Sequence, residues 1–221
     1  MAGKLVYDFL SGIRFIYYNS AYERYEISLG QIARWLFGFA LIFLVVGAVI
    51  TGKRQIGMYT VVRHPNKRSW WQHHFLSCVL SGLVAAVFYW MVLYILDRSL
   101  GLDAGEPVRE TMILLLWLTH VLLMLCMYCF LDQTPLSKLA AVILLMAEAL
   151  TLVIAFFFCL YFVNISKFMF GTWGMYMQSK WADAVNGFSV FPVLLTECGM
   201  MALSFFAGLW RMHRKDWDYQ E

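Results

Sequence analysis

The chain has 221 residues, of which 62% are hydrophobic, 18% aromatic and only 14% charged. A soluble domain runs about 45–50% apolar and about 25% charged, so a water-soluble enzyme or binding module is excluded. The net charge is only +3, so its local pattern matters more than the total, and no nucleic-acid partner is expected.

Residues 1–28 are too polar and their apolar stretch too short to cross a hydrocarbon layer about 30 Å thick. They also lack the apolar core of a signal peptide. Val6, Phe9, Leu10, Ile13 and Tyr17 recur at helical spacing with Lys4, Asp8 and Arg14 between them, which predicts an amphipathic helix lying at the membrane interface. Five apolar runs follow, at 29–50, 75–96, 112–131, 139–163 and 190–210, each near the 20 residues that a spanning helix needs. The predicted fold class is all-α: a polytopic membrane protein with about five transmembrane helices in a single transmembrane domain, residues 1–221.

The connections are short, and their charges set orientation. Residues 51–74 carry Lys53, Arg54, Arg63, Lys67 and Arg68 with no acid among them, which predicts a cytoplasmic loop. Alternation then places 97–110 outside, 132–138 inside, 164–189 outside and the tail 211–221 in the cytoplasm, with residues 1–28 outside, or inside should one of the five runs be re-entrant. The segment 164–189 is rich in aromatic and methionine residues and poor in charge. Trp173, Tyr176 and Trp181 suit the headgroup layer, so this loop is predicted to lie along the membrane surface.

Chemical motifs are sparse. The chain has no G-x-x-x-x-G-K-[ST] phosphate loop, no H-E-x-x-H and no G-x-S-x-G. Cys78, Cys126, Cys129, Cys159 and Cys198 all fall within apolar runs and read as small buried hydrophobes. Cys126 and Cys129 lack the second pair that a structural metal site requires. No metal and no cofactor are expected. His120 alone among the five histidines lies deep in a span, and it lacks the second axial ligand that haem usually takes.

Two acids, Glu148 and Glu197, also lie inside spans, where ionisable groups are costly. Ala141, Glu148, Thr151, Ala155 and Cys159 share one helical face, and Glu197, Ser204 and Gly208 share another, which turns both glutamates inward. Ser77, Ser81 and Ala85 form a small-residue face on the second span. Two readings stand for the glutamates: hydrogen bonds between helices, or the lining of a substrate or proton path.

The basic connection is longer than orientation alone requires. Ile56, Met58, Tyr59, Val61 and Val62 form an apolar patch before the turn His64-Pro65-Asn66, and Lys67-Arg68-Ser69-Trp70-Trp71 leads into the second span. This predicts a short amphipathic helix against the inner surface. A span followed by Gly52-Lys53-Arg54-x-x-Gly57, an apolar helix, a break and a basic approach to the next span resembles the membrane subunits of ABC-2 type exporters. The tail around Arg214-Lys215-Asp216 and the long segment before the last span are similar too. The likeness covers residues 28–221 and is to the small bacteriocin and lantibiotic permeases. It implies a coupling helix, with Arg54, Gly57, Met58, Tyr59, Arg63, Lys67 and Arg68 docking on a cytoplasmic ABC ATPase. It further implies a non-enzymatic permease in a bacterial plasma membrane that pairs with itself or a second permease. That family usually has six spans, and the first is missing here. A non-catalytic accessory subunit of a larger membrane complex is the alternative.

Overall fold

The computed structural model describes residues 5–13, 29–61, 66–101, 107–161, 166–184 and 187–214. Among the described residues six helices carry the fold: α1 (Leu5–Leu10), α2 (Leu29–Val61), α3 (Lys67–Ser99), α4 (Pro107–Asp132), α5 (Ala140–Tyr161) and α6 (Val190–Arg214). The last five are each long and apolar enough to cross a membrane. Among the described residues there is no β-strand, only a lone bridge between Ser179 and Phe188.

Local chemistry sets the helix ends. Asn66 caps α3, its Oδ1 accepting from the backbone N–H of Ser69 at 2.6 Å. Pro107 opens α4 at a position where its missing N–H costs nothing. At the other end of the basic connection the expected separate surface helix does not form. Residues 53–61 instead continue α2 without a break, because Lys, Arg, Gln and Met are good helix formers and the nearest strong breaker is Pro65. At about 1.5 Å per residue α2 is about 50 Å long and overshoots a hydrocarbon layer of about 30 Å.

α4 is the axis of the bundle. Within its most apolar stretch 61% of the residues are buried, against 17% for α3 and for α6. α3 and α6 turn large side chains such as Leu80, Phe88, Leu203 and Phe206 outward, the surface expected of helices in lipid. Trp71 joins these two helices near the basic end. It is fully buried, donates from Nε1 to the Phe205 carbonyl at 3.1 Å, and lies against Gly208. Beside it Trp70 stacks on His74, whose Nε2 is 3.5 Å from Asp132 Oδ2. Arg211 Nε donates to the Gln133 carbonyl at 3.0 Å. The start of α3, the end of α4 and the end of α6 therefore meet at the end of the bundle that carries the basic connection.

At the opposite end α1 is docked on the bundle: Val6, Leu10 and Ile13 are buried, and α1 packs on α2, α3 and α4. Asp97, near the end of α3, accepts from the backbone N–H groups of Leu5 at 2.6 Å and Val6 at 2.9 Å, so a carboxylate meets the helix's unsatisfied donors. The segment 166–184 is likewise folded into the bundle. Thr172, Met175, Tyr176 and Ser179 are buried, Trp173 is half-buried, and of the three aromatics assigned to the headgroup layer only Trp181 is exposed. Gly12, at φ +85°, lies so close to Met175 that no side chain fits there. Met177 N–H donates to the Ser11 carbonyl and Gln178 Nε2 to the Ile13 carbonyl, at 3.0 and 2.7 Å.

Candidate functional site

The three ionisable residues singled out within the spans come together. His120 lies midway along α4, about 20 Å from Pro107 and about 18 Å from Asp132 along the helix. Its Nδ1 is 2.8 Å from Glu197 Oε1 on α6, and its Nε2 is 3.3 Å from Glu148 Oε2 on α5. Trp35 on α2 donates from Nε1 to Glu148 Oε1 at 2.8 Å. All three ionisable side chains are wholly buried. Four helices are thus tied through one hydrogen-bonded chain, Trp35–Glu148–His120–Glu197.

The aromatic surroundings keep water out. Phe39, one turn along α2 from Trp35, meets His120 edge-on with ring centroids 5.8 Å apart, and Trp117 lies beyond Phe39. From the other side Phe170, in a 3-10 turn of the segment 166–184, places its ring 4.9 Å from the imidazole. Gly171 N–H donates to Thr151 Oγ1 at 3.1 Å. A Cβ on Gly174 would come within 2.6 Å of His120 Cβ, so only glycine lets this backbone rest on the histidine. The segment forms a lid over the cluster.

The arrangement restricts the chemistry. The imidazole stands between the carboxyl groups with each nitrogen engaged, so the three groups do not converge on one point as metal ligands must. Among the described residues no group of three or more such side chains could hold a metal ion. With both nitrogens bonded to glutamates, neither faces a haem iron. Glu197 Oε2 is buried without a hydrogen-bond partner. Such an atom is expensive to keep in a low-dielectric interior unless it has a use.

No family model, curated protein or solved structure matches this chain. Its site is therefore read from its own geometry.

The other residues picked from sequence fall elsewhere. Arg54, Gly57, Met58 and Tyr59 lie on the continuation of α2, and Lys67 and Arg68 open α3, with Arg68 exposed. Arg63 and the side chains of residues 53–61 and of Lys67 lie outside the described residues. On the α5 face Glu148 and Ala155 are buried and Thr151 is half-buried, as expected; the side chain of Cys159 is outside the described residues. Cys78, Cys126 and Cys129 are buried, whereas Cys198 is exposed beside the inward-facing Glu197, a correction to its reading as a core residue. Sequence reasoning missed Trp35, Phe170 and Gly174. The only signal was local: two glycines three residues apart, Gly171 and Gly174, flanking an aromatic in a long connection.

Proposed function

We propose that the chain is the membrane-spanning permease subunit of an ABC-type exporter, moving an apolar or amphipathic cargo such as a peptide or lipid. ATP hydrolysis would belong to a separate cytoplasmic ATPase, placing the basic connection and the C-terminus in the cytoplasm of a bacterial plasma membrane. The observation that carries this reading is the unbroken course of α2. One rigid helix runs from Trp35, bonded within the buried cluster, to the basic connection at Val61, a distance of about 39 Å. A displacement imposed by an ATPase on Arg54–Tyr59 would travel along α2 to the cluster without intervening joints, and one imposed on Lys67 and Arg68 would act on the start of α3. The outward apolar faces of α3 and α6 suit a second copy or another permease, so the cargo path would form between chains.

The test is replacement of Arg63 and Arg68 together by glutamate in the native host, followed by affinity isolation in mild detergent. The expected result is loss of a Walker-motif ATPase from the complex with the helical fold retained by circular dichroism. An ATPase that stays bound with normal turnover, or wild-type protein that isolates with no ATPase, overturns the reading. The complete burial of the cluster favours one second reading, an accessory subunit in which these bonds hold the bundle together. Recovery of membrane subunits alone would move that reading ahead.

A further inference from the structure

We propose that His120, Glu148 and Glu197 form a single proton-binding site, and that the segment 166–184 is the lid that governs access to it. The inference stands on proton bookkeeping within the cluster and does not depend on the ATPase partner.

Each of the two histidine–glutamate bonds needs one proton. A neutral imidazole has one donor and one acceptor nitrogen. The bonded cluster therefore holds two protons, either both on the ring or one on the ring and one on a carboxyl group. Both arrangements carry a net charge of −1. Trp35 adds a donor to Glu148 but no charge. Around the histidine stand Phe39 on α2 and Phe170, Gly171 and Gly174 in the lid, none of them titratable; on α3, against Trp117, lies the buried and unpartnered hydroxyl of Tyr89. Arg34, next to Trp35 in sequence, turns instead toward Asp8 at 3.9 Å.

One atom remains free to take a third proton, Glu197 Oε2, which is buried and unpartnered. Protonation there brings the cluster from −1 to neutral, and release restores the charge. The imidazole already fills the space between the carboxyl groups, so the ligand this site admits is a proton rather than a larger cation. The proton comes from bulk water and returns to it, with no other species consumed. Phe170 and Gly174 rest directly on His120, and Gly171 anchors the lid on Thr151, so water reaches the ring from this end only when the lid lifts.

The experiment uses the full chain in lipid nanodiscs and infrared difference spectroscopy between mildly acidic and mildly alkaline buffer. A protonated-carboxyl C=O band that grows on acidification is expected for the wild type, and it disappears in Glu197→Gln. Should that variant misfold, isotope-labelled glutamate in the wild type replaces it, and the band must shift with the label. On transfer to heavy water the band shifts slowly in the wild type and about tenfold faster in Gly174→Ala, whose added methyl props the lid off the ring without changing any titratable group. Absence of a pH-dependent band, a band untouched by Glu197→Gln, or one that fails to follow the glutamate label overturns the proton site. Equal deuteration rates in wild type and Gly174→Ala overturn the lid.

Discussion

Replacing His120 by leucine removes the centre of the cluster while nearly conserving volume. Two hydrogen bonds are lost, to Glu197 at 2.8 Å and to Glu148 at 3.3 Å. Were these ordinary neutral bonds between membrane helices, each would contribute about 0.6 kcal/mol, and the total loss would be about 1.2 kcal/mol. Breaking a buried charged network is different in kind, because Glu148 and Glu197 stay wholly buried with their shared partner gone. Removing one member of such a network costs about 3–5 kcal/mol. His120→Leu is therefore expected to lose about 3 kcal/mol or more in reversible SDS-driven unfolding in mixed micelles, followed by circular dichroism. Adding Glu148→Gln and Glu197→Gln to the same chain removes the stranded charge and should restore at least half of the loss. A single-mutant loss under about 1 kcal/mol would identify the bonds as ordinary neutral ones. A triple variant weaker than the single one would assign the effect to packing against Phe39 and Phe170.

Two further outcomes test the ends of the bundle. A Cβ on Gly208 would lie 2.9 Å from Trp71 Cε2 and nearer still to Cζ2 and Cη2 of that ring, so Gly208→Ala should separate α3 from α6 at a cost of about 1–3 kcal/mol. Thermal unfolding should show the loss, and Trp71→Phe in the same chain should recover part of it; an unchanged Gly208→Ala midpoint would contradict this packing. At the far end, Asp97→Ala removes the acceptor of the Leu5 and Val6 N–H groups, a charge-assisted interaction of about 1.5–3 kcal/mol. Backbone hydrogen exchange over residues 5–13 should accelerate at least about tenfold, and unaltered exchange would show that α1 is held by its apolar face alone.

The architecture was legible because membrane helices declare themselves locally. Each of the five apolar runs is helical over its described residues, since a backbone in lipid must satisfy its own hydrogen bonds. Boundaries were less legible: α2 runs on to Val61 because nothing between Lys53 and Val61 breaks a helix strongly enough, and an apolar patch can sit on a continued helix as readily as on a separate one. For the same reason the apolar pattern of residues 5–13 predicted a buried face correctly but not what buries it. Its partners are Asp97 and the lid, far away in sequence.

His120, Glu148 and Glu197 were each conspicuous, because a charge within an apolar span is costly wherever it points. That they form one chain was decided by the rotation and relative depth of α4, α5 and α6, which packing sets and no local pattern encodes. Trp35 read as one more apolar residue, since its N–H matters only when an acceptor stands 2.8 Å away. Gly174 read as a loop glycine until the fold brought the histidine beneath it. Sequence alone determined the medium, the helices and the residues too costly to be idle; tertiary structure decided which of them meet, because a contact depends on how separate helices pack, and composition carries only the reason each helix must bury or expose a face.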